Sequence, residues 1–577
     1  MIVRRFYRSR FGFFALALLT GLLVGVTTVV LIECISALQD AVFTRYGADK
    51  ISWLAGKSDW SIFFAPILGG IVVGVLLRNV PNNRIHGIAD VMEASAMRAG
   101  RMDVRSGGIA AVAVWVSLGS GAPLGREGPA VHIGASITAW IAEILDLDRT
   151  QSLTLLGCAA AAAVTASFNT PIAGVLFALE VVLGYYALRV FAPIVVAAMG
   201  AVIIRQSVYG NGAEFSMPDY AIGSLWELIA FAVLGLAAAV VVQLFIYCVI
   251  AAQWFWQKSR VPVWARPGLA GILIGGVALY LPLSLGVGYE GTSLALNQQL
   301  PIALMAGLLL AKLIGGSIAL GSGFAGGVFS PSLFMGAMLG GVFWFFINWM
   351  FPMQTSMQGV YSVVGMAAFA SAMLGAPIST LLIVFELTVD YDLVIAVMLA
   401  SAMASTFMQV MPHGSFFRWQ LHRRGINLQT GRDQSLLRTR NIDKLVTQNY
   451  IRVAAQTSVT KVEEAMYASK HYIAVLENDQ KEFVGSLSTD DVVACAATSG
   501  RDVHCELAKN DTEHVIPQST SLLAALQKLN DLESTYAPVV RTGGETVEVV
   551  GVIYKSDVLN AMYDMVREAR SEEYGVT

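Results

Sequence analysis

A glutamate within a glycine- and proline-rich break is the residue of this chain best placed to do chemistry. Glu127 lies in the stretch Gly119-Ser-Gly-Ala-Pro-Leu-Gly-Arg-Glu-Gly-Pro-Ala-Val-His-Ile-Gly134, inside an otherwise apolar region. Unwound backbone at membrane depth is tolerated only where it is buried in protein or lines a cavity, and an ionisable residue there is a functional-site candidate. A charged carboxylate can occupy an anion site, and protonation releases it. The stretch therefore predicts the gate of an anion pathway; a purely structural buried carboxyl is the alternative.

A second break repeats the first one without the carboxylate. Gly125-Arg-Glu-Gly-Pro129 aligns with Gly327-Val-Phe-Ser-Pro331 at an offset of 202 residues, and Pro171 and Glu180 align with Pro377 and Glu386 at an offset of 206. Duplicated halves with broken helices in matching places predict a substrate site at the interface between the repeats. The sequence leaves open whether the halves are parallel or inverted.

The breaks suit an anion because backbone N–H groups at helix N-termini replace its hydration shell without a full positive charge. Conduction requires weak, multiple sites, which a buried Lys or Arg would not provide. Glycine permits close approach of the backbone, and the proline after each break suits the first turn of a new helix. The alternative is that these glycines serve only helix packing.

Composition places these motifs in a membrane domain. Hydrophobic residues make up 55% of the 577 residues and charged residues 14%, against about 25% charged in soluble proteins. No Lys, Arg, Asp or Glu occurs from Leu313 to Phe385, a length that allows several spans of roughly 20 residues. We predict a membrane domain over residues 1–412. Its apolar runs lie at about 11–35, 61–77, 107–119, 130–145, 152–166, 171–187, 190–207, 222–252, 268–285, 301–320, 329–351, 359–373, 376–388 and 392–411.

Several function classes find no support in the sequence. The net charge of −3 says nothing about nucleic-acid binding, but no basic tract is long enough to suggest a phosphate-binding arm, and the five cysteines show no metal-ligand spacing. No nucleophile motif, phosphate-binding loop or metal cluster indicates an enzyme. A cation or metal transporter needs several intramembrane carboxylates or histidines around one cavity, and a nucleotide sensor with a membrane anchor needs no carboxylate at the midplane.

Basic residues predict the orientation. Arg4-Arg-Phe-Tyr-Arg8-Ser-Arg10 precedes the first apolar run, and Arg418-Trp-Gln-Leu-His-Arg-Arg424 follows the last one. A signal peptide begins in a similar way, but its apolar core is shorter and is followed by a small-residue cleavage site. The positive-inside rule then places both termini in the cytoplasm. A bacterial inner membrane is the expected location.

The tail is predicted to be soluble and duplicated. Gly485-Ser-Leu-Ser-Thr-Asp-Asp-Val492 resembles Gly551-Val-Ile-Tyr-Lys-Ser-Asp-Val558, and each follows a β-rich segment and leads into a helix. We predict a linker over residues 413–440 and two α/β units over 441–500 and 501–577.

Together these motifs resemble the CLC family of chloride channels and chloride/proton antiporters. The two breaks match the family motifs G-R/K-E-G-P and G-x-F-x-P, Lys312 matches a lysine upstream of the second, and the tail is similar to a pair of CBS domains. The resemblance implies an all-α polytopic membrane fold with broken helices and an inverted repeat, followed by the α/β CBS pair. It also implies a homodimer in the lipid bilayer in which each subunit has its own pore. The substrate is chloride or a related anion, and no cofactor is required.

The resemblance assigns roles to the two breaks. It implies that the N–H groups of Val328 and Phe329 hold a central anion, and that those of Arg126 to Gly128 face an outer site. Glu127 is implied as the gate. The resemblance also implies that voltage or pH gates the pathway.

Two positions depart from the family pattern. In Ile85-His-Gly-Ile-Ala-Asp-Val91, His86 replaces a hydroxyl donor of the first anion motif, and Phe417 replaces a tyrosine after the last span. A neutral imidazole still donates one N–H, so His86 is predicted to contribute to the anion site; a histidine in a surface loop is the alternative. Chloride is the predicted ion, with fluoride or nitrate as alternatives.

A third departure concerns proton coupling. Antiporters of the family usually carry a proton-accepting glutamate where this chain has Val181. Valine cannot relay a proton, which favours channel-like flow, although some antiporters without this glutamate still couple. Glu180 and Glu386 are predicted to satisfy buried donors or to pair with a base such as Lys312, and His132 is interpreted as a packed polar residue.

CBS pairs often bind adenine nucleotides through an aspartate that accepts hydrogen bonds from the ribose. Asp491 and Asp557 occupy this position in the two copies; Ser488 keeps the preceding hydroxyl, and Tyr554 replaces it in the second copy. The resemblance therefore implies an adenine-nucleotide site at these residues. The alternative is a dimerisation module without a ligand.

Overall fold

The structure is a computed structural model with two compact units, Met1–Ile426 and Asn427–Thr577. It describes residues 10–43, 60–78, 80, 84, 86–212, 214–215, 218, 220, 222–352, 354–388, 392–426, 441–478, 483–498, 503–505, 514–543 and 546–574. The basic N-terminal residues 4–9, Ile85 and residues 427–440 of the predicted linker lie outside this part of the chain.

The first unit is helical, as predicted. Its helices are α1 (Arg10–Phe43), α2 (Trp60–Leu77), α3 (Ile88–Met97), α4 (Val104–Gly119), α5 (Glu127–Ile144), α6 (Arg149–Phe168), α7 (Pro171–Phe177), α8 (Leu188–Tyr209), α9 (Glu227–Lys258), α10 (Arg266–Ala278), α11 (Tyr289–Leu296), α12 (Ile302–Ser322), α13 (Phe329–Met350), α14 (Gln358–Leu374), α15 (Pro377–Thr388), α16 (Val394–Val410) and α17 (Phe416–His422). A π-helical segment, Ala178–Leu183, continues α7. In the described residues, seven helices are long and apolar enough to cross a membrane, and six shorter apolar ones accompany them.

The repeat recurs in the backbone. The break between α4 and α5 contains Gly121 with φ 94°, and the break between α12 and α13 contains Gly323 with φ 102°. Further along, α6 ends at Asn169 with φ 59° and α14 ends at Gly375 with φ 72°. Left-handed φ favours glycine or asparagine and stops a helix, so both halves end and restart their helices at matching positions.

The two faces of the first unit are marked by two clusters. Arg424, which follows α17, donates to Asp90 at 3.1 Å and to Glu93 at 3.0 Å; we term this the exit face, because the described part of the unit ends at Ile426. The C-terminal end of α9 also lies there, since Arg423 donates to Gln253. The start of α9, 32 residues long, marks the opposite face.

The two broken helices run to different faces. The start of α4 follows α3, the helix that carries Asp90 and Glu93 of the exit face. α5 runs back along α4 toward this face, because a Cβ added at Gly107, near the start of α4, would lie 2.9 Å from Ser136 of α5. α13 runs to the opposite face, where Trp344 donates to the carbonyl of Ser356 at 2.8 Å and the Glu227 carboxylate accepts from the Ser356 N–H at 2.6 Å. The repeat is therefore inverted, which answers the question that the sequence left open.

The boundary after the membrane domain differs from the prediction. We predicted a linker from residue 413, but α17 packs against α3 and α14 and belongs to the first unit. Phe416, Phe417 and Trp419 are buried there. Basic residues around these aromatic side chains made the segment resemble a linker in the sequence.

The second unit contains two copies of one α/β motif, as predicted. Each copy has a three-stranded sheet with one parallel and one antiparallel pairing. A shared apolar cluster that includes Val475 and Val540 packs one copy against the other. The elements are β1 (Ile451–Ala454), α18 (Val459–Ser469), β2 (Ile473–Glu477), β3 (Phe483–Ser488), α19 (Thr489–Thr498), β4 (Ile516–Pro517), α20 (Leu522–Asp531), β5 (Tyr536–Gly543), β6 (Thr546–Tyr554) and α21 (Lys555–Tyr574).

Candidate anion site

The two breaks meet through their backbones. The Gly125 N–H donates to the Gly327 carbonyl at 2.8 Å, and the Gly327 N–H donates to the Gly125 carbonyl at 2.7 Å. A Cβ added at Gly128 would lie 3.5 Å from the Gly327 Cα and 3.7 Å from Ile88 Cδ1. The starts of α3, α5 and α13 therefore converge on one place near the junction of the repeats.

Glu127 sits at this convergence. It is the first residue of α5 and fully buried. Its Oε1 atom accepts from the hydroxyls of Tyr289 at 3.1 Å and Ser330 at 2.5 Å, and its Oε2 atom accepts from the Ser330 N–H at 3.4 Å. Since Ser330 is the second residue of α13, the carboxylate lies at that helix's N-terminus.

The first residues of α13 provide the donors that an anion needs. Val328 is the N-cap and Phe329 the first helical residue, so their N–H groups have no carbonyl partner within the helix. The Phe329 ring packs against Phe168 with 4.9 Å between ring centroids and against Phe177 with 5.8 Å. Two aromatic rings thus pack against the first residue of α13.

The Arg126 side chain lies beside the gate. Its Nε atom is 3.9 Å from Glu127 Oε1 and has no hydrogen-bond partner among the described residues. Its guanidinium carbon lies 4.9 Å from the centre of the Tyr289 ring, a separation typical of a cation–π contact. A buried cation therefore faces the Glu127 carboxylate.

His86 and Phe417 are placed around α3. His86 precedes Gly87, the N-cap of α3, and Asp90 accepts from the Gly87 N–H at 2.8 Å. Phe417 is buried in α17, which packs against α3. Both departures from the family pattern therefore belong to elements that reach the start of α3.

Tyr289 and Ser330 were missed by the sequence analysis. Tyr289 starts a helix of eight residues, 162 positions from Glu127 in the chain, and no spacing rule connects the two. Ser330 stands inside the second motif, where its hydroxyl was the available signal.

Glu180 and Glu386 satisfy buried donors, as predicted, and do so across the repeat. Glu180 accepts from the N–H groups of Ile378 at 3.3 Å and Ser379 at 2.7 Å. Glu386 accepts from the N–H groups of Ile172 at 3.1 Å and Ala173 at 2.7 Å.

The alternative pairing of these carboxylates with Lys312 is wrong. The Lys312 ammonium is buried and donates to the carbonyls of Ser284 at 3.0 Å and Gly286 at 2.6 Å. A buried ammonium can be satisfied by carbonyl oxygens as well as by a carboxylate, and the sequence does not distinguish the two.

Val181 lies in the π-helical segment and is buried. This segment packs against α3 and α7. An apolar side chain thus occupies the position that the family comparison assigns to proton transfer.

In the tail, the predicted nucleotide residues start helices. Asp491 Oδ2 accepts from the Ser488 N–H and hydroxyl, both at 2.7 Å, so it caps α19. Asp557 lies in the first turn of α21. Burial, and to a lesser extent the charge of Asp557, raise the pKa of Tyr554.

No group of three or more His, Cys, Asp or Glu side chains in the described part of the chain is arranged to hold a metal ion.

The chain matches two family models. The voltage gated chloride channel model matches residues 69–409, and the CBS domain model matches residues 510–564. A putative ClcB-like chloride channel protein from Ralstonia nicotianae is 31% identical over 389 residues, which are 64% of this chain and 90% of that protein. The H(+)/Cl(−) exchange transporter ClcA of Vibrio cholerae is 27% identical over 434 residues, 72% of this chain and 90% of the relative.

The fold agrees with the family match. A slow cyanobacterial Cl−/H+ antiporter superposes with a TM-score of 0.62 at 22% identity, over 71% of this chain and 96% of that structure. Inverted halves, the two joined breaks and the matched models lead to one conclusion: this chain belongs to the voltage-gated chloride channel family, the CLC family, and is a multi-pass integral membrane protein with a CBS-type tail.

Proposed function

We propose that this protein carries chloride across the membrane through a pathway that Glu127 closes. The observation that carries the proposal is the position of the Glu127 carboxylate, which accepts from the N–H and hydroxyl of Ser330 at the start of α13. A group bearing one negative charge is held by the kind of donors that an anion requires. Chloride bound in the same place would accept hydrogen bonds from these donors instead of the carboxylate.

Protonation supplies the opening step. The ionised carboxylate is attracted by the α13 N-terminus, an effect of about 0.3–2 kcal/mol, and by Arg126. A neutral carboxyl loses both attractions and leaves the donors to chloride. Chloride flux is therefore expected to rise as the pH falls.

We favour channel-like flow, gated by voltage or pH, over tight coupling to protons. The support is Val181, because a buried valine on the segment next to α3 holds no proton. Weak sites made of backbone donors fit rapid passage better than a lysine or arginine ligand does.

Coupled chloride/proton exchange is the second candidate. Exchange is favoured because the Glu127 side chain and chloride compete for the donors at the start of α13. Glu127 must take up a proton and leave these donors before chloride binds. The relative from Vibrio cholerae bears the name of an exchanger. Anion choice is part of the same proposal: chloride comes first, with fluoride or nitrate as alternatives because Phe417 brings no hydroxyl.

The proposed setting is a bacterial inner membrane with both termini in the cytoplasm and two identical subunits. Arg418, Arg423 and Arg424 at the exit face support a cytoplasmic exit, by the positive-inside rule. Exposed apolar side chains such as Ile229, 70% exposed, and Ile203, 58% exposed, fit contact with lipid or with a second subunit.

The deciding experiment measures chloride and proton flux together from vesicles that contain the purified protein. Channel-like transport predicts chloride efflux without proton movement against a proton gradient; uphill proton uptake driven by chloride would establish exchange. Glu127→Gln should remove the pH dependence of the flux. Glu143→Gln, an exposed carboxylate on the same helix, is the matched control and should leave it unchanged.

A further inference from the structure

A half-buried histidine and a buried one form a stacked pair next to the candidate site. The rings of His86 and His132 stack with 5.4 Å between centroids and 16° between their planes. His132 is only 3% exposed. In each ring the Nδ1 atom is buried and has no hydrogen-bond partner among the described residues.

The pair lies on the exit-face side of Glu127. His132 follows Glu127 by five residues on α5, which is about 7.5 Å along a helix axis, and α5 runs toward the exit face. His86 immediately precedes the N-cap of α3, whose first residue, Ile88, lies close to Gly128. The pair is therefore adjacent to the start of α3, beside the predicted anion site.

Charged groups from three directions face the pair. Asp90 and Arg84 come from the start of α3, Arg424 from the segment after α17, and Asp103 from the start of α4. Asp90 is already engaged, with 2.6 Å to Arg84 and 3.1 Å to Arg424.

The π-helical segment also packs against α3, and its carboxylate, Glu180, is held at the start of α15. Asp103 caps the start of α4 by accepting from the N–H groups of Arg105 and Ser106. All three acids near the pair are therefore already engaged with other donors.

Physical chemistry then restricts what the pair can bind. A buried donor or acceptor without a partner destabilises the folded protein, and a buried imidazolium needs a counter-charge. With Asp90, Asp103 and Glu180 engaged by other donors, an anion at the start of α3 is the available counter-charge. A proton and an anion that arrive together leave the pair's net charge unchanged.

We propose that the His86–His132 pair is a second titratable site of the pathway, which takes up one proton together with one anion on the exit-face side of Glu127. The proton comes from water and adds to an imidazole nitrogen, and the resulting N–H donates to the anion. The inference rests on the proposed function, because it requires an anion to reach the start of α3. By linkage, the anion raises the proton affinity of the pair by the same factor as the proton raises the affinity for the anion.

The test measures chloride binding calorimetrically on the full-length protein, in a Glu127→Gln background that removes the gate's own titration. Chloride should bind at least about threefold more tightly at about pH 5.5 than at about pH 7.5, the range in which histidine titrates. Chloride added to a weakly buffered sample near pH 6.5 should also draw protons from solution. Both effects should disappear when either His86→Gln or His132→Gln is added. His422→Gln, on the exposed surface of α17, is the matched control and should retain both.

The outcomes separate the two proposals. If the Glu127→Gln protein binds chloride equally at both pH values and takes up no proton, the histidine site is refuted while the anion pathway stands. Persistence of the effects in both histidine variants also refutes it. If the background variant binds no chloride at either pH, the proposed function fails, and this inference fails with it. Two separate glutamine variants guard against loss of folding in one of them, which size-exclusion chromatography detects.

Discussion

Glu180 and Glu386 each hold the first turn of a helix in the other half of the repeat. The Glu180 carboxylate accepts from the Ser379 N–H at the start of α15, and the Glu386 carboxylate accepts from the Ala173 N–H at the start of α7. The α7 and α15 helices also pack against each other. Together with the reciprocal bonds between Gly125 and Gly327, this exchange joins the two halves at two levels, and the candidate anion site lies at the first of them.

Loss of either exchanged carboxylate should destabilise the protein. Glu386→Ala leaves the Ile172 and Ala173 N–H groups without their acceptor, and hydrogen bonds to charged groups contribute about 1.5–3 kcal/mol. We expect a lower thermal midpoint in detergent for Glu386→Ala, and likewise for Glu180→Ala. Glu143→Ala on the exposed surface of α5 should behave as wild type. Midpoints equal to wild type in both repeat variants would show that these caps contribute little.

Removing the Tyr289 hydroxyl should move the gate's pH range upward. In Tyr289→Phe the ionised Glu127 carboxylate loses one donor, so its charged form is less stable and it accepts a proton at higher pH. One hydrogen bond to a charged group corresponds to roughly one to two pH units, so the midpoint of pH-activated chloride flux should rise by about that amount. Tyr361→Phe is the matched control, because Tyr361 donates to the buried Glu227 away from the pathway. A midpoint unchanged by Tyr289→Phe contradicts the assignment of this contact.

The sequence was sufficient to predict the helices and the two breaks, but it did not predict the contacts between residues far apart in the chain. Runs of apolar residues located the helices, and glycine with proline located both breaks, because these signals are local. The Glu127–Tyr289 contact joins residues far apart in the chain, and no periodicity encodes it. The alignment of Glu180 with Glu386 was visible, but their exchange between halves depends on the inverted packing. The aromatic side chains of α17 were read as part of a linker because the neighbouring basic residues masked their burial.

Two substitutions of Asp103 should separate the contribution of helix capping from that of charge to the stability of α4. Asp103 accepts from the N–H groups of Arg105 at 3.2 Å and Ser106 at 3.1 Å and from the Ser106 hydroxyl, and these bonds, the hydroxyl first, lower the pKa of Asp103. Asp103→Ala should cost about 0.5–2 kcal/mol, whereas Asp103→Asn should cost little, because asparagine is an equally good N-cap.

The pH dependence of this cap has a definite sign. Because the pKa in the folded protein lies below the unfolded value of 3.8, the charge-dependent stabilisation is complete above that value and is lost as pH falls through the folded pKa. Wild type should therefore keep a small advantage in thermal midpoint over Asp103→Asn at neutral pH, which comes from the charge and disappears only below about pH 4. Convergence already at neutral pH would assign the whole effect to capping geometry.

A hydroxyl restored at position 417 should strengthen anion binding. Phe417 is buried on α17, which packs against α3, and Phe417→Tyr adds one donor there. A net gain of about 0.5–1.5 kcal/mol corresponds to chloride binding roughly two- to tenfold tighter, measured by calorimetry. Phe416→Tyr, on the neighbouring buried ring, is the control and should not tighten binding. Equal affinities in wild type and Phe417→Tyr would place position 417 outside the anion site.

Adenine nucleotide binding by the tail remains a prediction, and the structure shows which aspartate to test. Asp491 caps α19 through Ser488, so its removal also harms the fold, whereas Asp557 lies in the first turn of α21 after Tyr554. We expect ATP or AMP at about 100 times its Kd to stabilise the tail by about 2.7 kcal/mol, seen as a raised thermal midpoint of its unfolding in the full-length protein. Asp557→Asn should abolish this shift, and Asp564→Asn, exposed on the same helix, should retain it. A midpoint that neither nucleotide moves would identify the tail as a dimerisation module without a ligand.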